Sequence, residues 1–344
     1  MVASLSPRRT NPNSGMSGLE RYWYRITPLH LILLPISLAF RLLVALRRAL
    51  YRSGILSSEK LSVPVIVVGN ISVGGTGKTP LTLALAQQLI GRGWHPLIVS
   101  RGHGGIGRQQ AVSANSTAEQ VGDEPLLMAR RNLCPVWVGV DRVATARAAL
   151  QAHPQCDVVL CDDGLQHYRL QRDFEIAVID GARGLGNGWM LPAGPLREPA
   201  ARLNTVDAEV VNGGATAPNQ YSMHLSGELF YNLLDSEKTA TAADLRNLRL
   251  HAVAGIGNPE RYFRHLEALG LAINRHPYPD HHPYCAGDLA FTDCDALLLT
   301  EKDAVKCAAF ADARYWVLRV DARIDPALLE HLQRKIKSHG RQTA

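Results

Sequence analysis

Apolar residues fall along this chain in two rhythms. Short runs rich in Val, Ile and Leu occur at residues 65–68, 96–100, 136–140, 157–161 and 175–180. Between them lie segments with helical spacing, at 81–90, 120–132 and 142–152. This alternation predicts a doubly wound, mostly parallel α/β sheet with helices on both faces and ligands at the carboxyl ends of the strands. A glycine-rich break covers residues 213–219. Beyond it the rhythm resumes, with strands at 250–254, 296–299 and 315–320 and a helix at 259–269, and predicts a second, smaller α/β unit. The turn Gly255-Ile256-Gly257 is too short for a dinucleotide fingerprint and reads as a tight strand-to-helix connection.

One segment fits neither rhythm. Residues 29–46 are almost wholly apolar, with Arg25 before them and Arg47, Arg48 and Arg52 after. A spanning helix needs ~20 apolar residues, and Pro35 and Arg41 interrupt this run. It begins too far into the chain, and lacks a small-residue cleavage site after it, for a secretory signal. It predicts a helix lying in a membrane interface with its arginines at phosphate level. The alternative is a helix packed on the protein's own core. The polar residues before it read as a loose lead-in. The expected order is a lead-in at 1–24, the apolar helix at 25–52, a P-loop domain at 53–215 and the smaller α/β domain at 216–344.

With 344 residues, 46% of them hydrophobic and 20% charged, the chain is globular and large enough for two domains. A net charge of +6 suits an anionic partner or substrate. No aromatic-interleaved basic run or zinc-finger spacing points to nucleic acid, and nothing in the chain calls for an obligate protein partner. The six cysteines form no C-x-x-C pair and read as free thiols in the cytosol.

The strand predicted at 65–68 runs into Gly69-Asn70-Ile71 and then Ser72, Val73, Gly74, Gly75, Thr76, Gly77, Lys78 and Thr79. Strand, glycine-rich turn, Lys-Thr and helix in this order form a phosphate-binding loop. Its amides would surround phosphate oxygens, Lys78 would reach the β/γ-phosphates of a nucleoside triphosphate, and the Thr79 hydroxyl would ligate Mg²⁺. The pattern places its first glycine at 72, where Ser72 stands, so Gly74 and Gly75 are expected to supply the backbone freedom.

Asp162 and Asp163 end an apolar strand of the same sheet, where a metal-binding carboxylate belongs. Asp123, in Gly122-Asp123-Glu124-Pro125, precedes a helix and reads on its own as a cap. Asp280-His281-His282 offers a histidine beside a carboxylate for proton removal. Adjacent histidines cannot both face one metal, which disfavours zinc. Arg197-Glu198-Pro199 offers a cation for phosphate charge and a further carboxylate.

Together, the segments 68–80, Ser100-Arg101-Gly102, 122–125, Asp162-Asp163-Gly164-Leu165-Gln166-His167, 191–199 and 280–282 resemble the tetraacyldisaccharide 4′-kinases, over about residues 25 to 330. That family's loop has the same form at position 72. The resemblance implies ATP-dependent phosphorylation of the 4′-hydroxyl of a tetraacylated glucosamine disaccharide 1-phosphate in lipid A biosynthesis. It also implies an active site between two α/β domains. It implies Asp123 as base with His281, Mg²⁺ at Thr79, Asp162, Asp163 and Glu198, and Arg197 near the transferring phosphate. The N-terminal helix would rest on the cytoplasmic face of the inner membrane. From the residues alone, a membrane-tethered ATPase or GTPase switch and a cytosolic small-molecule kinase stay open.

Overall fold

Every residue of the strand Val65–Gly69 is buried, and its side chains alternate between two cores. Ile66 and Val68 pack with the helices Lys78–Ile90 and Pro326–Lys337; Val65 and Val67 pack with the helix Arg142–Ala152. A strand covered on both faces needs apolar side chains on both, which is why it reads as an unbroken β-branched run. The computed structural model describes residues 22–23, 27–214, 216–218 and 220–337. Apart from Tyr22 and Trp23, the polar lead-in expected at 1–24 lies outside the described residues.

In chain order the strands are β1 (Val65–Gly69), β2 (Pro96–Ser100), β3 (Gln110–Val112), β4 (Val136–Val138), β5 (Val158–Asp162), β6 (Phe174–Asp180), β7 (Ala208–Asn212), β8 (Gln220–Ser226), β9 (Leu229–Asn232), β10 (Thr239–Thr241), β11 (Leu250–Ala254), β12 (Ile273–Pro277), β13 (Ala296–Thr300), β14 (Tyr315–Leu318) and β15 (Asp321–Ile324). They form two sheets. A nine-stranded sheet runs β15-β8-β7-β6-β1-β5-β2-β4-β3, and a six-stranded sheet runs β10-β9-β14-β13-β11-β12. In the larger sheet only the edge pairs β3·β4 and β8·β15 are antiparallel. In the smaller one β11 to β14 are parallel, and β9 and β10 complete it antiparallel.

A division at 215/216 does not follow the sheets. β8 continues the larger sheet beyond the glycine-rich turn, pairing with β7, and β15 returns to pair with β8. The helix Pro326–Lys337 then buries Leu328, Leu329, Leu332 and Ile336 in the larger sheet's core. The chain therefore leaves this sheet after β8 and re-enters it at β15. The helix expected over 120–132 is likewise two, Ala118–Val121 and Asp123–Arg130, separated by Gly122 at φ +87°. A Cβ on Gly122 would lie 2.5 Å from the His103 carbonyl oxygen, so only glycine lets the chain pass there.

The apolar N-terminal segment is a helix, Leu29–Arg52. One side is docked: the Ser37 hydroxyl donates to the Met190 carbonyl at 2.8 Å, and Phe40 and Val44 pack on the larger sheet's second core. The other side presents Ile32, Ile36, Leu38, Leu42, Leu43 and Leu46, each 54–70% exposed. The expected packing on the protein's own core describes the docked face. Among the described residues no helix is long and apolar enough to cross a membrane. All six cysteines are free thiols.

Candidate active site

The carboxyl ends of the two sheets border a cavity of about 630 Å³. Thr76 from the loop after β1 and Lys78 and Thr79 from the start of the helix Lys78–Ile90 line it, together with Gly257 from the loop after β11 and Lys302 from the helix Glu301–Cys307. Cavities of ~300–1,000 Å³ at such strand ends hold small ligands, nucleotides included.

The loop between β1 and the helix Lys78–Ile90 is held open by named contacts. Asn212 donates to the Thr76 carbonyl at 2.9 Å, and the amide of Val73 donates to the Pro195 carbonyl at 2.8 Å. Gly77, the residue before the helix, has φ +96°, and a Cβ there would meet Asn212 Nδ2 at 2.5 Å. The missing glycine at 72 is explained by its surroundings: Ser72 is buried and bridges Leu196 in antiparallel fashion. Of the two glycines expected to replace it, Gly74 adopts positive φ and Gly75 does not.

Asp162 and Asp163 leave β5 beside this loop, in unlike environments. Asp162 is fully buried; its Oδ1 accepts from the Thr82 hydroxyl at 3.2 Å and its Oδ2 has no hydrogen-bond partner. Burial, reinforced by Glu124 and Asp163, pushes its carboxyl up to about 7 against the pull of Lys78. Asp163, in the left-handed region at φ +49°, lies 3.4 Å from Lys78 Nζ and 3.3 Å from Arg197 Nη1. Burial pushes it up as well, but the two cations outweigh burial and hold it below the usual carboxylate range. A buried carboxylate oxygen without a donor, next to a second carboxylate, fits a hard divalent cation.

Glu198 does not join that pair. Its Oε1 accepts from Gln166 at 2.8 Å, and its Oε2 accepts from the Tyr168 hydroxyl and pairs with Arg202 at 3.4 Å. Among the described residues no three His, Cys, Asp or Glu side chains converge as a metal site. Glu198 is fully buried, and its oxygens face the donors Gln166, Tyr168 and Arg202 that compensate its charge.

Asp123 opens the helix Asp123–Arg130 but caps nothing. Its Oδ2 lies 3.0 Å from His281 Nδ1, from the other side of the cavity. His281 is at φ +60°, whereas His282 turns to Asp288 at 3.2 Å. Of the two histidines, His281 is therefore the one in contact with Asp123. Lys302 Nζ lies 3.2 Å from His281 Nε2, 3.1 Å from Asp280 and 3.5 Å from Glu124. An ammonium can only donate, so Nε2 accepts, and Nδ1 carries the proton that His281 gives to Asp123. Burial pushes the Asp123 carboxyl up, but His281, Lys306 and Lys302 outweigh it and hold it below its ordinary value.

The pattern reading missed Lys302, Lys306, Asn212 and Thr82. A signal for the first two was present: Thr300-Glu301-Lys302-Asp303 follows the wholly buried strand β13, at the carboxyl end where parallel sheets place ligand-binding groups.

A family model described as tetraacyldisaccharide-1-P 4′-kinase matches residues 29–337. The chain is 52% identical over 336 residues to a tetraacyldisaccharide 4′-kinase of Dechloromonas aromatica, covering 95% of this chain and 98% of that protein. It is 50% identical over 315 residues to one of Methylobacillus flagellatus, covering 91% and 94%. Its fold is similar to that of LpxK from Aquifex aeolicus, solved in complex with ATP, with a TM-score of 0.75 at 29% identity over 90% of this chain and 99% of that one. The chain belongs to the tetraacyldisaccharide 4′-kinase family.

Proposed function

We propose that this protein transfers the γ-phosphate of ATP to the 4′-hydroxyl of a tetraacylated glucosamine disaccharide 1-phosphate, giving the 1,4′-bisphosphate of lipid A biosynthesis. The single observation that carries the chemistry is the Asp123–His281 contact at 3.0 Å, close to the cavity bordered by the phosphate loop.

Phosphoryl transfer passes through a loose transition state with charge spread over the equatorial oxygens, so catalysis is mainly positioning and cationic compensation. Residues 72–79 would cradle the ATP phosphates, with Lys78 at the β/γ bridge. Arg197, held at Asp163, stands ready for the transferring group. Mg²⁺, bound by Thr79, Asp162 and Asp163, would add positive charge against the phosphate oxygens. Asp123 Oδ accepts the proton of the sugar hydroxyl as the new P–O bond forms and the bond from the γ-phosphorus to the β/γ-bridging oxygen breaks, releasing ADP. His281 donates to Asp123 from Nδ1 and keeps the carboxylate aimed, while Lys302 fixes that tautomer through Nε2.

Incubation with γ-labelled ATP, Mg²⁺ and tetraacyldisaccharide 1-phosphate is expected to place label on the lipid. Hydrolysis of ATP that is indifferent to the lipid, with no labelled lipid, would instead favour a switch-type ATPase.

The exposed face of the helix Leu29–Arg52 supports attachment to the cytoplasmic face of the inner membrane, where the acceptor lipid lies. Its apolar residues recur at helical spacing, and Arg41, Arg47 and Arg52 are exposed beside them. The triple variant Ile32→Gln/Leu43→Gln/Leu46→Gln is expected to weaken vesicle binding by roughly 10²-fold, from about 1 kcal/mol of burial lost per half-exposed side chain. Its melting temperature and ATP affinity stay at parent values, because these side chains touch water rather than the core. Unchanged co-sedimentation with anionic vesicles would remove this face from membrane attachment.

A further inference from the structure

Behind the Asp123–His281 contact lies a second pair of buried charges, Asp303 and Lys306, on the helix Glu301–Cys307. Asp303 is fully buried, and its Oδ2 accepts from the Thr300 hydroxyl at 2.6 Å and the Gly255 amide at 3.0 Å. Its Oδ1 pairs with Lys306 Nζ at 3.0 Å. The Lys306 side chain is 7% exposed, with its ammonium 4.9 Å from the centre of the Tyr284 ring and 3.9 Å from Asp123 Oδ2. A buried ammonium needs one carboxylate for compensation, and Asp303 supplies it. The second carboxylate within reach comes from the other sheet, and it is the one that touches His281.

We propose that Lys306 is a positioning residue for phosphoryl transfer, its ammonium anchored by Asp303 and holding the Asp123 carboxylate in place against His281 across the cleft. This rests on Asp123 being the base. The other groups facing Asp123 do not duplicate the contact. Lys302 is shared between Glu124, Asp280 and His281, and the His103 ring lies edge-on to His281 with centroids 5.4 Å apart. Glu124 and Asp280 are anions and oppose ionisation of Asp123. Lys306 favours the ionised form, so its removal raises the pH at which Asp123 becomes a carboxylate.

The test is the pH profile of kcat/KM for lipid phosphorylation. In Lys306→Met the acid limb is expected to move up by about one pH unit, a roughly tenfold loss on that limb, with KM for ATP unchanged. Lys306→Arg, which keeps the charge, restores the parent limb. Because Lys306→Met strands Asp303 as a buried unpaired charge, the double variant Asp303→Asn/Lys306→Met is measured as well. A folded double variant whose acid limb coincides with the parent's would overturn the proposal and leave Lys306 as a partner of Asp303 only. Full activity in Asp123→Asn would be a different result: it would remove the base itself.

Discussion

Replacing Asp123 by asparagine is expected to lower lipid phosphorylation by ~10²–10⁴-fold, the usual worth of a positioned general base, while ATP affinity stays near the parent value. Asparagine keeps the volume and can still accept from His281 Nδ1, but it cannot take the proton of a sugar hydroxyl. The helix Asp123–Arg130 has no side-chain cap to lose, so the substitution removes no capping energy. His281→Ala is expected to be similarly impaired, because the carboxylate then loses the donor 3.0 Å away. Groups that act as a unit are strongly non-additive, so the double variant should be little worse than the poorer single one. Steady-state kinetics beside a melting curve decide the matter. A stable Asp123→Asn protein with normal turnover would take Asp123 out of the mechanism.

The second large effect is expected at the phosphate loop. Lys78→Ala should reduce transfer by ~10²–10³-fold, the cost of losing one preorganised charge at a developing anion. Lys78 also sits 3.4 Å from Asp163, which would keep only Arg197 as a cationic neighbour. Asp163 is about one-third exposed, so water replaces much of that pairing and little stability is lost. Transfer within threefold of the parent, in a folded variant, would contradict the placement of the β/γ-phosphates at this loop.

Local order was the part of this protein written plainly in one dimension. Strands buried on both faces must be continuously apolar, so β1, β2, β5 and β6 announce themselves, and the glycine-rich loop after β1 is marked by its own residues. The short edge strands β3, β10 and β15 leave weak patterns, because an edge strand needs few buried residues. The return of β15 and the helix Pro326–Lys337 to the larger sheet leaves no local mark at all, since pairing with β8 is set by contacts nearly a hundred residues apart.

The site divides in the same way. Residues 72–79 and the Asp162-Asp163 pair follow or end the adjacent strands β1 and β5, so their proximity was legible from their order in the chain. Three placements are visible only in three dimensions, each set by what a side chain meets across space. Asp123 looks like a helix cap until His281 arrives from the other sheet. Adjacent His281 and His282 are equivalent in sequence and are separated by a left-handed backbone that sends one to Asp123 and the other to Asp288. Glu198 follows Arg197 directly, yet Arg197 turns to Asp163 while Glu198 is drawn into burial by Gln166, Tyr168 and Arg202. A buried charge goes where its compensating partners are, and those partners come from distant parts of the chain.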